Sequence, residues 1–172
     1  MPLLERAAFL ASLAQDAGEA RAGDGRLVLL SGEAGVGKTA LLEQLEAELP
    51  DAEWAWSACD GLFTPRPLGP LFDLADRLGG ELRTAVTAGA DRDALFATLL
   101  RQLAAGPRLR IVVVEDVHWA DEATLDLLRF LGRRLRACRC CWSPRSGTTA
   151  WPPTTRCGWC SASSPPCGRR VG

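Results

Sequence analysis

Eight consecutive residues in this chain have the types and spacing needed to hold phosphate. Gly32, Glu33, Ala34, Gly35, Val36, Gly37, Lys38 and Thr39 fit the pattern GxxxxGK[ST]. Glycines let such a loop wrap with its backbone N–H groups pointing inward, and a helix starting at its end adds partial positive charge where phosphate would lie. Lys38 would reach the β- and γ-phosphates, and the Thr39 hydroxyl would hold Mg²⁺. Lys38 is also the only lysine in a chain that otherwise uses arginine as its base. A compact ammonium suits a phosphate pocket better than a planar fork, so the exception falls where this chemistry would require it.

A second constellation follows later in the chain. Ile111, Val112, Val113 and Val114 run into Glu115 and Asp116, an apolar strand ending in two carboxylates. Beside a phosphate loop, one acid can act on the Mg²⁺ shell while the other orients or deprotonates an attacking water. Glu115 stands where such sites usually carry Asp, and its extra methylene changes its reach. Both carboxylates are therefore candidates for metal and catalytic roles, and the residues leave the division between them open. The competing reading is an ordinary strand followed by a solvated acidic turn. His118, the only histidine, reads as a packed loop residue beside Trp119, and Trp119 as a core or interface residue. Trp54 and Trp56 read as sheet packing rather than as a platform for stacking bases.

The elements that must position these residues are legible from periodicity. Residues 3–22 carry apolar side chains at helical spacing before the turn signal Gly23, Asp24, Gly25. Residues 26–30 form a short continuous apolar run, the pattern of a strand buried on both faces of a parallel sheet. Residues 38–49 repeat Leu41, Leu42, Leu45 and Leu49 on one helical face, stopped by Pro50. Residues 53–58 alternate as a strand, 60–70 read as loop, and 71–78 and 92–104 as helices. Residues 111–114 form a third strand. Asp121 is placed as the N-cap of a helix running to about residue 136. Strands alternating with helices imply an α/β fold, a parallel sheet flanked by helices with right-handed crossovers.

Composition bounds the function classes. With 172 residues and 47% hydrophobic content, the chain can build one core of useful size. A net charge of −1 gives no general attraction for nucleic acid or an anionic membrane, so any partner must be recognised locally. There is no apolar run of membrane-spanning length and no basic-then-apolar leader pattern, so a cytoplasmic location is expected.

The chain changes character near Ala137. No acidic residue follows Asp126, whereas six of the seven cysteines (Cys138, Cys140, Cys141, Cys157, Cys160 and Cys167) lie in residues 137–172. A zinc site is one reading, because Cys157 and Cys160 form a CxxC, but the first cluster has the wrong spacing for a standard knuckle. A disulfide framework is disfavoured without an export signal. The preferred reading is genetic: back-translated with G- or C-ending codons and read one base out of frame, Cys138 to Ser146 gives LPVLLVAAF, an apolar strand. The domain expectation is therefore 1–136 as the nucleotide-binding part and 137–172 as an irregular, out-of-frame tail. Pro144 is expected to cut short any strand that forms there.

Taken together, Glu5 and Arg6, the loop from Gly32 to Thr39, the stretch from Cys59 to Leu71 and the stretch from Glu115 to Leu125 resemble a known group. It is the origin-recognition-like AAA ATPase module of the STAND class, typical of large LuxR-type transcriptional regulators in actinobacteria. The resemblance covers residues 3–136. It implies a P-loop NTPase fold incomplete at its C-terminal side, with ATP and Mg²⁺ as ligands driving a conformational switch; weak or absent turnover is expected because no arginine finger or sensor arginine can be assigned. It also places Arg6 near the adenine and leaves self-association open. Relatives continue with a central strand ending in an arginine that senses the γ-phosphate, where this chain has its cysteine-rich segment. No element for binding nucleic acid directly is found here.

Overall fold

The computed structural model of the chain describes residues 3–33, 35–62, 66–135, 140–146 and 170–171. Helix α1 (Leu3–Arg21) leads into strands β1 (Arg26–Leu27) and β2 (Leu29–Ser31), then α2 (Lys38–Glu48) and β3 (Glu53–Ala58). Three helices follow, α3 (Gly69–Leu78), α4 (Gly80–Thr87) and α5 (Arg92–Ala104). Next come β4 (Arg110–Glu115), a 3₁₀ turn (Val117–Trp119), α6 (Glu122–Gly132), β5 (Cys140–Ser146) and β6 (Arg170–Val171). The strands make a parallel sheet in the order β3-β4-β5-β2-β6, with β1 also pairing β5.

Hydrophobic alternation on β4 shows how the sheet is covered. Ile111 and Val113 face one core with Leu10, Leu13 and Ala17 of α1 and Leu41, Leu42 and Leu45 of α2. Val112 and Val114 face the other core, with Leu71 and Leu74 of α3, Leu95 and Leu99 of α5, and Leu127, Leu128 and Leu131 of α6. Helices on both faces explain why β4 is apolar at every interior position. Each of these leucines stabilises the fold by about 1.5–3 kcal/mol through burial. Trp54 and Trp56 project from β3 towards the α2 side, stacked at 6.2 Å. Trp56 Nε1 donates to Glu46 Oε2 and Trp54 Nε1 to Leu49 O. They pack the sheet, as their alternation implies.

The structure departs from the sequence expectations at several places. Helix α4 was not foreseen, because residues 79–91 carry no assignment between the two expected helices. Gly79 and Gly80 both have positive φ, and Gln102 of α5 bridges the junction, donating to Leu78 O and Gly79 O and accepting from Leu82 N. The break between α3 and α4 is only one residue wide. Helix α3 begins at Gly69, with Pro70 in its first turn, where proline's missing N–H costs nothing. Helix α6 ends at Gly132 rather than near residue 136.

The segment beginning at Cys140 also differs from expectation. It forms β5 through Ser146, in the slot between the Walker-B-like strand β4 and the P-loop strand β2. Pro144 does not end it. Instead the proline interrupts the neighbouring ladder, which explains why the expected strand over 26–30 is divided. Arg26 pairs Cys141 and Leu27 pairs Trp142, and in the same offset Leu30 pairs Arg145 and Ser31 pairs Ser146. The gap falls opposite residues 143 and 144, where proline has no N–H to give. On the other side the β4 ladder reaches Val114 opposite Pro144.

Candidate functional site

Strand β2 delivers the glycine loop and α2 receives it. Gly37 has φ 90° and sits at the N-cap of α2 without any side-chain cap. A Cβ there would meet nothing within 4 Å, so glycine is required by conformation and not by space. Gly32 also has positive φ, and there a Cβ would in addition lie 3.2 Å from Val36 Cγ1. The loop is held by Val36 N donating to Glu33 O at 3.3 Å and Leu41 N donating to Gly37 O at 3.0 Å. Lys38 Nζ folds over it, donating to Gly32 O at 2.7 Å and Glu33 O at 2.8 Å. The ammonium is therefore held by two loop carbonyls, and an anion bound there would compete for its donors. Thr39 follows in the first turn of α2. Ala34 lies outside the described residues.

Arg6 of α1 reaches the same helix end. Its Nη2 donates to Ala40 O at 3.0 Å, while its Nε is buried with no hydrogen-bond partner among the described residues. The guanidinium thus ties α1 to the first turn after the loop. The base of α1 is fastened separately. Arg26 Nη1 meets the buried Asp16 at 2.8 Å, and Arg26 also pairs with Glu19 and Asp24.

The two carboxylates lie at the end of β4. Glu115 is half-buried, and Asp116 is exposed in the left-handed region, φ 54°. The register locates them relative to the loop. Val114 is opposite Pro144, and Leu30 is opposite Arg145, so Glu115 is level with Leu30 and Asp116 with Ser31. One intervening strand at the usual spacing separates β4 from β2 by roughly 9–10 Å. The carboxylates and the glycine loop therefore leave the sheet side by side.

Beyond Asp116, Trp119 N donates to Asp116 O at 2.8 Å and closes the 3₁₀ turn. His118 lies with its ring 4.9 Å from that of Trp119 and Nδ1 4.0 Å from Asp116 Oδ1. Trp119 is 52% exposed, so of the two expected placements, core or interface, the core one does not hold. The turn projects its ring over the backbone of Gly61, where a Cβ would come within 3.1 Å. Asp121 caps α6 as expected, accepting from Thr124 N at 3.0 Å. It also accepts from Leu68 N, a bond across 53 residues that no local signal announces. Cys59 was likewise not singled out. Its N–H donates to Glu115 O at 3.0 Å. Burial first, then the charges of Asp121, Asp116 and Asp60, push its thiol up to about 12.

The donor set suits a hard cation carried largely by phosphate. No group of three or more His, Cys, Asp or Glu among the described residues could cage a metal alone. A hydroxyl and one or two carboxylates beside a phosphate loop are what Mg²⁺ needs when the ligand supplies the rest.

A parallel sheet flanked by helices, with a glycine loop entering a helix and acids closing the strand two places away, defines a P-loop NTPase-like α/β protein. Residues 2–142 match the AAA ATPase domain family, and the chain belongs to it. Among solved structures it is similar to Cdc6p from Pyrobaculum aerophilum, with TM-score 0.61 and 21% identity over 83% of this chain and 38% of that one. It is similar also to PCH-2 from C. elegans, with TM-score 0.51 and 13% identity over 97% of this chain and 42% of that one. These likenesses concern the fold, and the chain spans only about two fifths of each relative. No curated protein sequence matches it. No helix among the described residues is long and apolar enough to cross a membrane.

Proposed function

We propose that the chain binds ATP with Mg²⁺ as a conformational switch, with weak or absent hydrolysis. The observation that carries this is the convergence at one sheet end. Lys38 lies over the glycine loop, α2 has no side-chain cap, and Glu115 and Asp116 stand level with the end of β2. In this reading the loop amides and Lys38 hold the phosphates, and Thr39 with Glu115 or Asp116 holds Mg²⁺. Arg6, fastened to the first turn of α2, lies beside the nucleotide. Bound Mg²⁺ would offset the phosphate charge. Slow turnover is the reading because, among the described residues, no arginine can be assigned to stabilise charge on the transferred group. The motif resemblance further supports a cytoplasmic module of a larger STAND-type, LuxR-like regulator that self-associates.

Titration calorimetry of the folded full chain with Mg-ATP tests the core of this reading. Micromolar binding that protects the Lys38 ε-amine, the only one in the chain, from an amine-reactive reagent is the expected result. Folded protein that takes up no nucleotide would refute it.

A second reading has its own observation. The run of residues after Asp126 without an acid, together with six cysteines, favours residues 137–172 being out of frame and the chain an inactive remnant. Sequencing the gene past codon 137, and finding the same frame maintained in related strains, would remove it.

A further inference from the structure

We infer that Asp121 is a positioning residue for the carboxylate pair. It locks the turn carrying Asp116 to Leu68 at the entry of α3, so that Mg²⁺-dependent nucleotide binding depends on a side chain with no place in the site itself. The inference rests on the nucleotide-binding reading above.

Three contacts tie Cys59, Gly61 and Leu68 to residues 115–121. Cys59 N donates to Glu115 O at 3.0 Å, the Gly61 backbone lies against the Trp119 ring, and Leu68 N donates to Asp121 Oδ2 at 3.2 Å. The segment from Asp116 to α6 has little slack between them. Trp119 N is bonded to Asp116 O, Ala120 N to Val117 O, and Leu125 N to Asp121 O. Asp116 itself is left-handed, φ 54°, a conformation that aspartate tolerates better than most residues, and the turn's hydrogen bonds hold it there. Leu68 is left-handed as well, φ 59°, at the entry of α3. The Asp121 carboxylate binds both sides of this junction. One oxygen takes Thr124 N, and the other takes Leu68 N and the buried Thr124 hydroxyl. Movement of the acidic turn on binding a cation would therefore bear on the start of α3, and loosening at Leu68 would remove one of the three ties that hold the turn.

Asp121→Asn separates the two roles. Asparagine is as good an N-cap as aspartate, so α6 keeps its start. Its NH₂ group cannot accept from Leu68 N, so the tie across to α3 is lost. The experiment measures Kd for ATP by calorimetry, in Mg²⁺ and in EDTA, for the full wild-type chain and for D121N, with circular dichroism confirming the fold. The ratio of the two constants reports the contribution of Mg²⁺. D121N is expected to lower this ratio about tenfold, the scale seen when a group that orients metal ligands is removed, while the EDTA value stays within about twofold. A folded D121N with the wild-type ratio would overturn the inference. Should D121N fail to fold, Gly61→Ala decides instead, because its Cβ presses on Trp119 from the second contact. A reduced ratio and a shifted tryptophan emission support the inference, and an unchanged ratio overturns it. Wild-type protein that binds no ATP in either buffer would instead count against the nucleotide-binding reading.

Discussion

Replacing Lys38 with alanine separates a phosphate-binding lysine from a structural one. In the structure Nζ donates to Gly32 O and Glu33 O, both partly or fully open to solvent, so water can satisfy these carbonyls once the ammonium is gone. The cost to folding should stay within about 0.5 kcal/mol, as for surface substitutions in general. At about 2–4 °C per kcal/mol for a chain of this size, the melting temperature should move by no more than about 2 °C. Binding is a different matter. A hydrogen bond to a charged group contributes about 1.5–3 kcal/mol, so Mg-ATP affinity should fall about 10- to 150-fold. Calorimetry with Mg-ATP and a thermal melt of the same preparation read both quantities. An alanine variant that is folded and binds as wild type refutes the assignment. A variant that loses affinity and several degrees of stability together shows that the lysine supports the loop rather than the ligand.

Other outcomes follow from particular contacts. Gly37→Ala meets no steric obstacle and should destabilise the chain only by the cost of its positive φ, about 1–2 kcal/mol, read as a lowered melting temperature. Cys59 should resist iodoacetamide at pH 8 in the native protein and react after urea unfolding, as read by peptide mass mapping. With its folded pKa raised to about 12 from 9.0, its contribution to stability is complete below pH 9 and is lost as pH rises towards 12. Alkaline destabilisation over that range should be smaller in Cys59→Ala. Pro144→Val restores an N–H opposite the gap between β1 and β2 and should raise stability by about 0.5–1.5 kcal/mol, seen as a higher denaturation midpoint. An unchanged midpoint would mean that the gap has another cause.

Much of the site was legible without coordinates because its signals are local. The glycine loop is one contiguous motif whose conformational demand falls on single residues such as Gly37, and β4 declares its burial on both faces by four consecutive apolar residues. The cap at Asp121 was legible for the same reason, since its partner Thr124 is three residues away. The junction between α3 and α4 was missed. The side chain that bridges its two glycines, Gln102, comes from a different helix.

Residue order alone determined that a phosphate loop stands between a strand and a helix, that two carboxylates end a buried strand, and that these belong to a parallel α/β sheet. Tertiary structure decided how they meet. It inserts β5 between β2 and β4, sets Glu115 level with Leu30, and brings Leu68 to Asp121. Each of these depends on strand register or on a contact between distant segments. Such pairings are chosen by the burial of two helical layers acting together, and no window of sequence contains both partners.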